Sequence, residues 1–162
     1  MDFIVKAIFI GRFQPFHKGH HHTVERFCTD FNTFQIVIGS SNKSRTKNNP
    51  LNYEERKEII RSCHPETDII GLQDQDKGSK GHEEWVNRLI RKTGADKVIT
   101  RNNLVKKLVR DFSEAEVIEH KLHRPEMYSG TNIRSRIRKN KDWKQLVPEC
   151  STKEIIELSK HI

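Results

Sequence analysis

Apolar and polar positions along this chain follow two different periods, and the two take turns. Phe3–Ile10, Phe34–Ser40, Asp68–Leu72, Lys97–Thr100 and Glu116–Glu119 are short stretches built mainly on β-branched and aromatic residues, the pattern of strands covered on both faces. Between them apolar residues recur three and four positions apart, as in Val24, Phe27, Cys28 and Phe31, or Leu104, Val105, Leu108, Val109 and Phe112. Ile59, Ile60 and Cys63 form a further stripe, and so do Trp85, Val86, Leu89 and Ile90. Each set predicts an amphipathic helix. Asn52 with Glu55 three residues on reads as a capping box that opens the second helix, and Pro65 marks its end. Ser129 or Thr131 caps a later helix that carries Ile133 and Ile137 inward and Arg134 and Arg138 on a shared face. Ile155, Ile156, Leu158 and Ile162 suggest a docking C-terminal helix. Strand–helix alternation of this kind predicts an α/β fold: one domain over residues 1–162, a parallel sheet of about five strands with helices on both faces, and a C-terminal helical segment from about 131 to 162 packed on it.

Composition narrows the classes. The chain has 162 residues, 33% hydrophobic and 32% charged, with a net charge of +8; the apolar residues are grouped periodically, unlike those of a disordered chain. No run reaches membrane-spanning length and the first residues lack the order of a signal peptide, so a soluble cytoplasmic protein is expected. The positive charge fits either a nucleic-acid partner or a site for polyanionic nucleotides. The three cysteines are odd in number, widely spaced and free of C-x-x-C; no disulfide framework is expected, and Cys28 and Cys63 read as small core residues. No internal repeat or low-complexity tract is present.

The chemistry concentrates in Ile8-Phe9-Ile10-Gly11-Arg12-Phe13-Gln14-Pro15-Phe16-His17-Lys18-Gly19-His20. Gly11 permits a sharp turn at the end of the first strand, Pro15 delays the helix, and His17 and His20 fall near its N-terminus. Unpaired N–H groups and a partial positive charge make that terminus an anion site, two imidazoles add donors, and Gly19 leaves room for a ligand to approach the backbone. A metal site is not expected. His17 and His21 are four apart and His20, His21 and His22 consecutive, but H-E-x-x-H requires a Glu where Lys18 stands, and Gly19 interrupts the first turn. Lys43, Arg45 and Lys47 lie in the polar loop Ser41–Pro50, as triphosphate ligands or as a solvated stretch; Gly39-Ser-Ser-Asn-Lys-Ser lacks the second Gly of a P-loop. The third loop, Gln73 to Gly81, carries Asp74 and Asp76. Ser129, Gly130, Thr131 and Arg134 form a second constellation in which a hydroxyl, a helix start and a planar cation suit β,γ-phosphates.

The His17-x-x-His20 signature resembles the nucleotidyltransferase superfamily, and the full Gly11–His20 stretch, with Tyr128-Ser129-Gly130-Thr131-x-x-Arg134 and Asp142-Trp143-x-x-Leu146-Val147-Pro148, resembles the archaeal-type nicotinamide mononucleotide adenylyltransferases. That resemblance implies a Rossmann-like domain and transfer of AMP from ATP to nicotinamide mononucleotide, giving NAD and pyrophosphate, with Mg²⁺ accompanying ATP and a homo-oligomeric state. Carried onto matching positions, it implies catalysis by His17, His20, Arg12 and Arg134. ATP binding falls to these with Gly11, Phe13, Gln14, Gly19, Ser129, Gly130 and Thr131, and acceptor binding to Phe9, Ser40, His82, Trp85 and Asn102. Trp85 would stack on the pyridinium and His82 donate to its carboxamide. Departures cluster on the acceptor side: His82 replaces an expected Asn, and Thr100-Arg101-Asn102-Asn103 replaces Ser-Gly-Asn-Pro. Two classes therefore stand beside it: a related transferase with FMN, phosphopantetheine or glycerol phosphate (with CTP) as acceptor, and a non-catalytic nucleotide- or RNA-binding protein. The chain has no RRM or KH signature.

Overall fold

The computed structural model describes residues 4–74 and 78–162, the side chains of 78–80 excepted; Phe3 and Asp76 lie outside the described residues. The strands β1 (Lys6–Gly11), β2 (Thr33–Ile38), β3 (Asp68–Gly71), β4 (Lys97–Thr100) and β5 (Glu116–Val117) form one sheet in the order β3-β2-β1-β4-β5. All pairings are parallel, with Phe9 opposite Ile36 on one side and Ile99 on the other. The helices are α1 (Lys18–Phe27), α2 (Tyr53–Cys63), α3 (Gly78–Thr93), α4 (Asn103–Phe112), α5 (Gly130–Arg138) and α6 (Thr152–Leu158).

Alternate residues of each strand face opposite cores, as the two-residue period of a strand requires. Phe9, Ile36 and Ile99 join Val24 and Phe27 of α1, Ile59 and Ile60 of α2, Ile133 of α5 and Ile155 of α6. Ile8, Ile10, Val37 and Val98 join Leu89 of α3 and Val109 of α4. The order reverses at β1: β2 and β3 extend to one side, β4 and β5 to the other. A sheet of this kind opens a crevice beyond the carboxyl ends of the strands at such a reversal, here between the loops after Gly11 and Thr100.

Element boundaries differ from the sequence reading where pairing partners run out. The first strand begins at Lys6, and Ile4 is 75% exposed. Helix α1 starts at Lys18, before His20, and stops at Phe27; Phe31 lies beyond it and still stacks on the Phe27 ring. The last strand keeps only Glu116 and Val117. Asn52 and Ser129 cap α2 and α5 through their side chains. No described helix is long and apolar enough to cross a membrane.

The cysteine reading is corrected. Cys63, the last residue of α2, is disulfide-bonded to Cys150 across a sequence separation of 87, with Cα atoms 5.3 Å apart; Cys28 is free. An odd count excludes only complete pairing. The chain after α5 folds back along α2 and brings Cys150 to its end, a closure with no local signal in the sequence.

Candidate active site

The loop after β1 sets the site. Phe13 adopts a left-handed backbone (φ 54°) and the Gln14–Pro15 peptide is cis. Phe13 turns back beneath Gly11, where a Cβ would meet its ring at 3.2 Å, and packs edge-on against Phe9 and His20. The Gln14 amide is fully engaged with Leu51, donating to its carbonyl at 2.8 Å and accepting from its N–H at 2.9 Å.

His17 is the N-cap of α1. Its Nδ1 accepts from the N–H groups of Gly19 (3.0 Å) and His20 (3.4 Å), while Nδ1 of His20 accepts from the N–H of His17 at 3.2 Å. Two histidines thus fill the parts that Ser and Glu play in a capping box. An accepting Nδ1 carries no proton, so this network assigns each ring's proton to Nε2, a donor free of the cap. The rings stack at 3.6 Å. Burial, then the Arg101 charge, holds the His17 pKa well below its ordinary value; for His20 the causes are burial, then His17, then Arg101. At neutral pH both are uncharged donors.

Gly19 is constrained by its own chain: an added Cβ would lie 2.7 Å from Nη1 of Arg101 and 2.9 Å from Cε1 of His17. The space above this glycine, expected to admit ligand, is bounded by a guanidinium. Arg101 donates through Nη2 to the Tyr128 carbonyl at 2.8 Å, and its buried Nη1 has no partner among the described residues. Arg134 arrives from α5. It is 5% exposed and donates to the Gln14 carbonyl at 2.8 Å; its Nη2 stands 3.5 Å from Oγ1 of Thr131, and its buried Nε has no partner among the described residues. Burial, then the charges of Arg12 and Arg138, lowers its pKa. A Cβ at Gly130 would lie 2.7 Å from Nη1 of Arg134 and 3.1 Å from the Gln14 carbonyl oxygen, so a side chain there would displace the guanidinium.

Beneath these loops lies Arg56, fully buried. It donates to the carbonyls of Asn52, Arg12, Gly39, Ser40 and Lys43, at 2.9 to 3.4 Å. Burial pushes its pKa down to about 10, so it stays charged at neutral pH. Of the basic loop residues, Lys43 reaches Asp74 at 3.2 Å, whereas Arg45 is paired with Glu55. Ser40, in a left-handed conformation, also donates to Asp74.

A cavity of about 480 Å³ brings together Phe9, Gly11, Arg12, Phe13, Gln14, His17, His20, Ser40, His82, Trp85, Asn102, Ser129, Gly130, Thr131 and Arg134, with Lys43 of the basic loop; Gly19, Arg45 and Lys47 do not line it. Phe9 is completely buried, Trp85 half-buried against the second core, and Asn102 caps α4 with its side chain. Sequence reasoning missed Arg101 and the apolar wall of Leu104, Val105 and Leu108. Arg101 directly follows β4, which lies beside β1 at the reversal point; that position, and its standing where the resembled pattern has Gly, were the signals available. Among described lining residues, the cations Arg12, Lys43, Arg101 and Arg134 face one carboxylate, Asp74. Such a cavity suits a polyanion.

A family model described as cytidylyltransferase-like matches residues 8–157, and the chain belongs to that family of nucleotidyltransferases. It is 33% identical over 159 residues to a nicotinamide-nucleotide adenylyltransferase of Methanolobus tindarius, covering 94% of this chain and 88% of that one. A relative of the same description from Methanothrix thermoacetophila is also 33% identical over 159 residues, covering 94% and 90%. Likeness at this level over nearly the whole length places the chain among the nicotinamide-nucleotide adenylyltransferases. Among solved structures, it is similar to a bifunctional NMN adenylyltransferase/ADP ribose pyrophosphatase of Francisella tularensis complexed with AMP and a Mn ion (TM-score 0.72, 22% identity, 98% of this chain and 49% of that one). It is also similar to a NadR protein in complex with NAD and AMP-PNP (TM-score 0.64, 18% identity, 85% and 43%). The chain spans about half the length of these two structures or less, and at such identities the likeness carries the fold.

Proposed function

We propose that this chain, read as one domain over residues 1–162, joins ATP and nicotinamide mononucleotide to give NAD and pyrophosphate. A phosphate oxygen of the mononucleotide attacks the α-phosphorus in line, the bond from that phosphorus to the bridging oxygen of the β-phosphate breaks, and pyrophosphate leaves. Positioning and charge stabilisation suffice for this chemistry, with no covalent nucleophile. The observation that carries the reading is the reciprocal His17–His20 cap, which leaves two neutral Nε2–H donors at a helix start lining a cationic cavity.

In this reading His17 and His20 donate to the transferring phosphoryl oxygens. Arg134, with Ser129, Gly130 and Thr131, holds the β- and γ-phosphates, and Arg12 adds charge from the exposed rim. Gln14 and Phe13 act by holding the loop, the first through Leu51 and the second beneath Gly11. Mg²⁺ accompanying the triphosphate would screen its charge. Asp74, the carboxylate among the described lining residues, is already paired with Lys43 and Ser40, which fits a cation carried by substrate phosphates better than a protein cage. The acceptor lies between Phe9, Ser40, His82, Trp85 and Asn102. The half-buried indole of Trp85 offers a face to the cationic pyridinium, an attraction of roughly 0.5–2 kcal/mol. Both substrates are water-soluble nucleotides, in keeping with a cytoplasmic enzyme, and a homo-oligomeric state belongs to the same proposal.

The test is pyrophosphate release from ATP and Mg²⁺ with nicotinamide mononucleotide, FMN, phosphopantetheine or glycerol phosphate. The first should support turnover well above the others. Release with another acceptor alone overturns the acceptor, and release with none overturns the activity.

A further inference from the structure

Beside the cavity, and lining none of it, His21 and Glu25 of α1 meet His64 at the end of α2. His21 and Glu25 are four residues apart and share one helix face, while His64 is the C-cap of α2, 8% exposed. Nδ1 of His21 lies 2.9 Å from Nε2 of His64, and Nε2 of His21 lies 3.8 Å from the Glu25 carboxylate. One ligand atom from each of the three side chains falls within 4.8 Å of the other two. The ring of Phe16 stands edge-on to both imidazoles and forms an apolar wall.

We propose that His21, Glu25 and His64 form a site for a divalent transition ion of the zinc class, which clamps α1 to the end of α2. Two imidazole nitrogens and one carboxylate oxygen, with a fourth position open to water, are a donor set suited to Zn²⁺ and not to Mg²⁺, which takes oxygen ligands in octahedral array. Tetrahedral bonds of zinc–imidazole length place two ligand nitrogens about 3.3 Å apart, so the 2.9 Å pair need open by only a few tenths of an ångström. The proton now shared between the rings moves to the opposite nitrogen of its own ring, freeing two lone pairs. Both imidazoles are uncharged at neutral pH: burial pushes the His64 pKa down to about 4 and lowers that of His21. Phe16 also stacks on His20 at 5.7 Å, so the clamp fixes the start of α1 from the flank away from the nucleotide. The inference is independent of the proposed reaction.

The experiment is calorimetric titration of the chelator-treated, nucleotide-free protein with Zn²⁺ at pH 7.5, alongside thermal unfolding and the visible spectrum with Co²⁺. Wild type should bind one Zn²⁺ per chain, gain in melting temperature and give the intense absorption of tetrahedral Co²⁺. His64→Gln should lose affinity by at least about 10²-fold, since even the residues that support ligands are worth about 10- to 100-fold. Glu25→Gln, at an exposed position that folding tolerates, should lose at least about 10-fold on the same scale. His22→Gln, exposed on the same helix, should bind as wild type does. Absence of saturable binding to wild type, or binding to Glu25→Gln as tight as wild type, overturns the site.

Discussion

Arg134 and Gln14 stand 120 positions apart in sequence and are joined by a 2.8 Å hydrogen bond from the guanidinium to the main-chain carbonyl. The bond leaves the rest of the planar fork beside Thr131 and ties the start of α5 to the loop after β1. Lysine has no second arm with which to keep that tie and also reach a phosphate. Arg134→Lys should therefore raise the KM for ATP about tenfold or more, on the scale of a charge-assisted hydrogen bond worth about 1.5–3 kcal/mol, and leave the KM for the acceptor within about twofold on the same reckoning. Steady-state kinetics with each substrate varied in turn decides this, and equal KM values for ATP would return Arg134 to a purely structural part.

His20 holds the cap and faces the cavity at once. His20→Ala should lower kcat by about 10²-fold or more, as loss of one preorganised donor does, and cost about 1 kcal/mol of stability from the lost cap. Kinetics and urea unfolding on the same preparation separate the two effects. A kcat within a few-fold of wild type in a folded mutant removes His20 from the chemistry.

Gly19→Ala would favour helix by propensity, yet its methyl meets Arg101 and His17. Activity should fall about tenfold or more, by analogy with other small displacements of reacting groups, while melting temperature changes little. The loss should be smaller in an Arg101→Ala background, because the pair is coupled through one contact. Additive effects in that double-mutant cycle would show that the guanidinium does not set the space over Gly19.

Reducing Cys63–Cys150 opens a loop with a sequence separation of 87. Stability should drop by about 2–5 kcal/mol, the usual range for a native bridge, read as a lower urea midpoint with reductant or in Cys150→Ser. Activity per folded molecule should hold, since neither cysteine lines the cavity.

Acid should weaken the fold from near neutrality downwards. His17, His20, His21 and His64 all have pKa values lowered first by burial, His64 to about 4. In the unfolded chain each imidazole takes up its proton near 6.5, and in the folded chain only at lower pH. The unfolded state thus binds more protons in that interval, and stability, complete above it, falls as pH drops from about 6.5 towards 4. Urea midpoints measured with chelator present should decline through this window, less steeply in His64→Gln. A flat profile would contradict the burial of neutral rings.

What was legible in the sequence is what hydrogen bonds reach within four residues. Asn52 with Glu55, Ser129 with Asn132 and the place of His17 before its helix all follow from local spacing, as does the strand–helix alternation that brings both motifs to one edge. The Gln14–Leu51 amide pair, Arg101 over Gly19 and Cys63 with Cys150 join segments from 37 to 87 residues apart. No periodicity carries such information, because each depends on how loops of different length return. Arg56 was legible as a helical residue beside Glu55 and as part of a Glu-Arg pair that the resemblance matches; its burial depends on carbonyls from loops that the fold alone brings together.

Arg56 divides the site into a part that changes as a block and a part that changes singly. The turns after β1 and β2, which carry Arg12, Gly39, Ser40 and Lys43, all hang on one cation, so displacing any of them withdraws a partner from a buried charge and is felt by the rest. His82, Trp85 and Leu104 project from α3 and α4, outside that set. Substitutions there alter the wall one side chain at a time, and His82 is among the positions where this chain departs from the pattern it resembles. In the proposed reaction, His82 and Trp85 can therefore vary towards a new acceptor without disturbing the turns that carry Arg12, Ser40 and Lys43.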